Sequence, residues 1–317
     1  MSIQTEIDRI NASVAAAYSA AGSLGATMPT TLNVDNLADA VRSIPTGVSV
    51  CAYNLLDNSD FRNPVNQRGV ASGDAVAAWS TFIDRWNACE NGGVMSLTKD
   101  GLTSPCGIKQ SLRSLEHLAG KKVTVACYFA DGTLLVKSGT MVTADSWTEI
   151  ISTGWGAPHM DFSADGSLWV FRIYNFTSAL QWAALYEGEY TAETLPKYVP
   201  KGFGAELAEC QRYYLPVAQN ANQYITGHFP HSGLGSIIIP APPMHTTPSI
   251  ETFSGYVQVF KPGANGGWTN ITAYIDTAIH SPRQGNAYQI VFDATGVGLT
   301  NGYSYLFRNI KALVADL

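Results

Sequence analysis

The sequence predicts a mainly β chain: a short helical, coiled-coil-like stalk followed by two β-sandwiches. Three observations lead there. Apolar residues recur at helical spacing only within residues 1–47. From about Val48 onward, short runs rich in Val, Ile, Thr, Tyr and Phe alternate with Gly, Pro, Asn and Asp turn signals. Only 14% of the 317 residues are charged, so the surface must be built from Ser, Thr, Asn, Gln and Gly, as in β-rich binding proteins.

The first element places Ile3, Ile7, Ile10, Val14 and Ala17 at alternating steps of four and three. That is the a/d pattern of a coiled coil, and Ile at both positions favours trimers or tetramers over dimers. A homotrimer is therefore expected. The repeat covers only about two heptads, so it needs neighbouring domains to hold it. The alternative is an amphipathic helix packed on its own chain. Gly22, Gly25 and Pro29 are expected to end it. Asn33 or Asp35 can cap a second helix whose Val34, Leu37, Val41 and Ile44 share one face, closed by Pro45 and Gly47. Residues 1–47 read as an attachment and oligomerisation segment.

Residues 48–203 read as the first sandwich. Lys121–Phe129 alternates imperfectly as a strand, and Asp131-Gly132 turns it into Thr133–Val136. Trp147–Ile151, Leu168–Tyr174 and Gln181–Tyr186 follow as further strands. Phe61, Trp86, Trp169 and Trp182 are expected in the core. Pro196, Pro200, Gly202 and Gly204 mark a linker, with a short helical or irregular turn from Glu206 to Glu209. Residues 204–317 read as a second, smaller sandwich, with strands around Gly235–Ile239, Ser249–Phe260, Asn270–Ile275, Tyr288–Phe292 and Tyr303–Val314.

Several function classes are disfavoured. The net charge is −6 and no Lys/Arg cluster occurs, which argues against a nucleic-acid partner. No early basic and then apolar stretch suggests a secretory leader, and the longest apolar run, 237–244, is too short and proline-rich to insert in a membrane. Five cysteines without CxxC spacing indicate neither a disulfide framework nor a zinc ribbon; free thiols fit assembly in bacterial cytoplasm. His228 and His231 stand three apart, but Gly227 and Pro230 suggest an exposed loop rather than a zinc site. Glu187 and Glu189 share a face if Tyr186–Tyr190 is a strand, yet such a pair is usually solvated. Asp161 and Asp165 fit turn chemistry. No GxSxG elbow, Ser–His–Asp pattern or phosphate loop occurs. The chain is read as a non-enzyme with no metal and no cofactor.

Aromatic residues in loops remain as the binding signal, because sugar rings stack on exposed aromatic faces. Trp155 stands between Gly154 and Gly156, with His159 close behind; Trp268 follows Gly266-Gly267, and Tyr224 lies among Asn and Gln. Trp155, His159, Tyr224 and Trp268 are the glycan-contact candidates. Ile3, Ile7, Ile10 and Val14 are the oligomerisation candidates.

Three runs carry a family resemblance. Asn54–Gly69 followed by Ile83-Asp84-Arg85-Trp86 resembles the opening of a β-sandwich module of bacteriophage and prophage tail proteins, related to carbohydrate-binding jelly rolls. Ala205–Tyr214 resembles the junction after that module, and Met1–Ile10 looks like the start of many short tail-fibre chains. The resemblance implies jelly-roll sandwiches and a place in the virion tail. It also implies attachment to other tail or baseplate proteins through the N-terminal segment, and adsorption to a bacterial surface polysaccharide or cell-wall glycan. A structural baseplate or spacer subunit is the next reading, and a tail-associated glycan hydrolase the third. In such jelly rolls a carboxylate just after the Phe helps to hold a structural calcium. Here Arg62 stands at that position, and Gln181–Leu185 lacks the acidic residue of the closing strand, so Asp57 and Asp60 read as turn and capping residues.

Overall fold

The computed structural model describes residues 3–23, 26–43, 53–142, 148–151, 158–162, 168–174, 176–231, 234–261, 267–272, 287–293, 299 and 303–315. Helix α1 spans Ile3–Ser23. It runs six residues beyond the a/d array and through Gly22, because Ala15-Ala16-Ala17 and Ala20-Ala21 are strong helix formers and Gly22 falls in the last turn. Helix α2, Val34–Arg42, is capped by Asn33, whose side chain accepts from the Asn36 N–H at 3.0 Å. The helices meet through Tyr18, Ala21 and Ala40, all buried, and the Tyr18 hydroxyl donates to the Asn33 carbonyl at 2.7 Å. The face expected on α2 is therefore not the buried one: Val34 and Val41 are exposed, and Ile44 lies outside the described residues. Ile3, Ile7 and Ile10 are exposed on this single chain, Ile3 by 83%, and Val14 is half-buried. No helix among the described residues is long and apolar enough to cross a membrane.

Beyond the helices the described chain is mainly β, in several antiparallel sheets. One six-stranded sheet has the spatial order Thr148–Ile151, Pro158–Phe162, Trp169–Ile173, Ile108–Leu112, Trp86–Ala88, Thr81–Ile83. A five-stranded sheet runs Ser96–Thr98, Gly101–Thr103, Leu180–Glu187, Lys122–Phe129, Leu134–Thr140. Their inner faces share one core, with Trp86, Ile108, Met160, Trp169 and Phe171 from the first and Val123, Val125, Ala183 and Leu185 from the second. Strand alternation explains the division: in Ile108–Leu112 the apolar ends and Gln110 point inward, while Lys109 and Ser111 point outward. The Asp131-Gly132 hairpin forms as expected, with Gly132 at φ 88°.

The C-terminal part holds a three-stranded sheet, Tyr214–Pro216, Ile310–Val314, Ser249–Thr252, and a six-stranded sheet, Gly267–Asn270, Gln258–Lys261, Ser304–Arg308, Ile225–His231, Leu234–Pro240, Ala287–Asp293. Ile237, Val259, Ile290, Phe292 and Phe307 share a second core with Ile310 and Leu313. Two expected long strands are each split between these sheets. Asn309 at φ 72° breaks Tyr303–Val314, and a bend near Gly255, φ 75°, breaks Ser249–Phe260. The expected histidine loop is a strand instead, and its buried Gly227 leaves room for the Phe307 ring and the Ser236 carbonyl, with which a Cβ would clash. His228 is exposed on that strand. Of the two forms expected at Glu206–Glu209, helical or irregular, the helical one is present, as a longer helix α3, Phe203–Cys210.

Candidate functional site

Two aromatics far apart in sequence come together at the C-terminal six-stranded sheet. Tyr224 and Trp268 stack, ring centroids 5.4 Å apart and planes 18° from parallel. Trp268 is a strand residue rather than a loop residue. It lies opposite Phe260, which meets it edge-on at 5.5 Å. The Arg308 guanidinium sits 4.0 Å over the Trp268 ring and is steered there by its Nε, which donates to Gln258 Oε1 at 2.9 Å. Trp268 is half-buried under these contacts, whereas Tyr224 is 55% exposed. The result is a propped aromatic shelf with a cation and an amide at its edge. A flat apolar face ringed by hydrogen-bonding groups is what a saccharide needs.

His159 lies elsewhere, in the strand Pro158–Phe162, and it is buried rather than exposed in a loop. Its ring stacks on Tyr174 at 5.2 Å. Trp155, expected beside it, lies outside the described residues. Asp161 is a buried strand residue and not part of a turn. Its Oδ2 is 3.6 Å from His159 Nε2 and 2.8 Å from Arg172 Nη1, the latter approach lying off hydrogen-bond geometry. Burial raises the Asp161 carboxyl pKa, opposed by Arg172 and His159. The cross-strand register sets His159, Arg172, Lys109 and Asn87 in one row on the outer face of the first six-stranded sheet. Tyr174 donates to Glu90 Oε1 at 3.0 Å near one end of the row. At the other, Lys109 Nζ lies 4.3 Å over the ring of Trp79. Burial and then Arg172 lower the Lys109 pKa. Burial likewise pushes the Cys89 thiol up to about 12, so it stays protonated at neutral pH.

Residues from the runs 54–69, 83–86 and 205–214 meet in a buried junction. Arg85, at φ 72° and nearly buried, reaches Asp57 Oδ2 at 3.1 Å and donates to the Ser111 carbonyl at 2.9 Å. Its guanidinium lies 3.5 Å over the Tyr213 ring. Trp86 Nε1 donates to the Asn58 carbonyl at 2.9 Å. From α3, Glu206 accepts from the Asn58 N–H at 2.6 Å. Burial raises the Glu206 pKa, opposed by that bond and by Lys201. Burial alone would lower the Lys201 pKa, but Asp57 and Glu206 outweigh it and raise it. Phe61 and Trp169 are buried in the main core, and Phe61 meets Trp86 at 5.0 Å. Trp182 differs from its expected place. It is half-buried on the opposite face of its sheet, stacked on Tyr198 at 4.6 Å in a small separate cluster.

Cations occupy the acids that a calcium would need. Asp57 binds Arg85 and Lys201, the latter at 3.2 Å, and Asp60 binds Arg62 at 2.7 Å. Among the described residues no three His, Cys, Asp or Glu side chains are grouped so as to hold a metal ion. Glu187 ends its strand and pairs with Lys121 at 2.6 Å, while Glu189 lies 3.9 Å from Lys122, so the two do not form a facing carboxylate pair. Cys89, Cys106, Cys127 and Cys210 are buried free thiols.

Comparison of the chain with protein-family models, curated proteins and solved structures gives no match. Sequence reasoning missed Trp79, Lys109, Arg172 and Arg308 as site residues. Alternation along Ile108–Leu112 puts Lys109 on the outer face, but its closeness to Trp79 depends on a strand pairing that no local pattern reveals.

Proposed function

We propose that this chain is a glycan-binding adhesin of the tail-fibre type, trimeric through its N-terminal helix, with jelly-roll sandwiches that present saccharide-binding faces. The observation that carries the reading is the shelf of Tyr224 on Trp268, propped by Arg308 and Phe260. A loop tyrosine and a strand tryptophan are in contact, and the tyrosine keeps about half of its surface exposed. The junction supports the family part of the reading, because the two β-module runs and the α3 run form one hydrogen-bonded unit. The exposed Ile3, Ile7 and Ile10 support the trimer, since an apolar stripe of this spacing is covered by copies of itself in a coiled coil. Weak sites would then add through avidity on a virion tail facing a bacterial surface polysaccharide or cell-wall glycan.

The test is a bacterial glycan array probed with the full-length chain, beside Tyr224→Ala and Trp268→Ala with their melting temperatures. Loss of binding in a folded Tyr224→Ala supports the reading. A parent that binds no glycan, or a Tyr224→Ala that binds like the parent, overturns it. Light scattering tests the oligomer: the parent should give three chain masses, and Ile7→Asp should lower that mass by putting a carboxylate into an apolar seam.

A further inference from the structure

The outer face of the first six-stranded sheet holds a half-buried ammonium, Lys109, that is not ion-paired among the described residues. Its Nζ lies 4.3 Å over the ring of Trp79. The nearby acids are engaged elsewhere: Asp161 lies against Arg172 at 2.8 Å, and Glu90 accepts from the Tyr174 hydroxyl. Arg172 and Lys109 are directly opposed across adjacent strands, so a second cation faces the first. Trp79 is 47% exposed even with Lys109 over one face. It holds φ 66°, a left-handed backbone that bulky residues avoid, and Asn87 Nδ2 donates to its carbonyl at 2.9 Å to fix that turn. Strain of this kind, spent on keeping a large indole at the surface, is found at ligand sites.

We infer that Trp79 and Lys109 form a second saccharide subsite that selects a sugar bearing a carboxylate, such as a uronic or sialic acid residue. The indole takes the apolar face of the ring. Lys109, which has no ion-paired acid among the described residues, takes the carboxylate, and Arg172 adds to the positive field. Burial together with Arg172 lowers the Lys109 pKa against the weaker pull of Cys89 and Glu90, so an added carboxylate would stabilise the charged ammonium. The inference rests on reading the chain as a glycan binder, but it uses neither Tyr224 nor Trp268.

The experiment measures binding of the full-length chain to uronate- and sialate-bearing oligosaccharides and to the same compounds with the carboxyl reduced to an alcohol. The parent should prefer at least one acidic form by about tenfold or more, the effect of one charge-assisted contact. Lys109→Met should erase that preference, Lys109→Arg should restore most of it, and Trp79→Ala should weaken both forms. Tyr224→Ala should leave the acid preference intact. Raising salt from about 0.05 to about 0.5 M should weaken binding of the acidic form more than that of the reduced one, a check on the parent that needs no variant. Equal binding of acidic and reduced sugars, no binding to any acidic sugar, or a Lys109→Met that keeps the preference overturns the inference. If Tyr224→Ala abolishes neutral-glycan binding while Lys109→Met changes nothing, only this subsite falls. If the acid preference follows Lys109 while Tyr224→Ala has no effect, the shelf falls and the subsite stands.

Discussion

The junction and the outer sheet faces use the same residue types to opposite ends. In the junction Arg85 is closed off by Asp57, the Ser111 carbonyl and Tyr213, and Trp86 by Phe61, Phe171 and two backbone carbonyls. On the outer faces Arg308 and Lys109 also sit over aromatic rings, but Tyr224 and Trp79 remain about half exposed. An Arg or Lys over an aromatic ring is thus no mark of function by itself. What separates the two settings is whether surface is left over for something else to cover.

The largest expected effect breaks the junction. Trp86→Ala removes a fully buried indole from the main core and leaves the Asn58 carbonyl without its donor, which should cost about 3–5 kcal/mol. Chemical denaturation would read this as a lower midpoint at unchanged slope. A variant as stable as the parent would show that the junction does not hold the fold together. The next effect is electrostatic. Asp57→Ala leaves Arg85 nearly buried without its acid and strips Lys201 of the same partner, for about 3 kcal/mol. If Asp57→Ala costs no more than a surface substitution, the Tyr213 ring and the Ser111 carbonyl alone satisfy the guanidinium.

This contrast also explains what the sequence made legible. Residues of the runs Asn54–Gly69, Ile83–Trp86 and Ala205–Tyr214 share many partners in the fold. Asn58 alone bonds to Val65, Asp84, Trp86 and Glu206. Strands between residues 122 and 187 were readable from alternation, and a cap for α2 from residue type, though between Asn33 and Asp35 the sequence left the choice open. Position within a sheet was not. Trp182 sits in a strand as apolar as that of Trp169, but it faces the other way, and period-two patterning cannot tell two covered faces apart. Likewise nothing local distinguishes Asn309, which turns one long apolar run into strands of two sheets. Of the glycan candidates, Tyr224 and Trp268 were found by composition of their flanks. Trp79 and Lys109 were not, because they are 30 residues apart and are joined only by pairing.

A smaller effect probes the C-terminal side of the junction. His245 stacks on Tyr213 at 4.9 Å, and its backbone N–H donates to the Arg212 carbonyl. Burial, followed by Arg85 and Arg212, lowers the imidazole pKa from its ordinary 6.5. The unfolded chain therefore takes up a proton at a higher pH than the folded one. Stability is fully present above the ordinary value and declines as pH falls from it towards the lowered folded value. Glu206 and Asp161, whose pKa values are raised, run the other way: their contribution is present at low pH and is lost as pH rises through the raised values. The comparison of parent with His245→Phe isolates the first term. Melting temperature should fall between about pH 7 and pH 5 in the parent, and this fall should be shallower in the variant. Identical slopes would mean that His245 titrates alike folded and unfolded, and that the cations of the junction do not reach it.

The smallest expected change in stability is the most informative about the open face. Tyr224 is exposed, its main contact is one ring face on Trp268, and its loss leaves no buried polar group without a partner. Tyr224→Ala should therefore shift stability by no more than about 0.5 kcal/mol, the range of an ordinary surface substitution. Trp268→Ala should cost more, because Phe260 and Arg308 both pack on that ring. Glycan binding should rank them differently, with both variants losing about 1–3 kcal/mol per site. Two measurements on two variants thus separate support from contact. If Tyr224→Ala destabilises the chain as much as Trp268→Ala does, the shelf is a small core like the one around Trp182 and Tyr198. The contrast between closed junction and open face would then no longer hold at this end of the molecule.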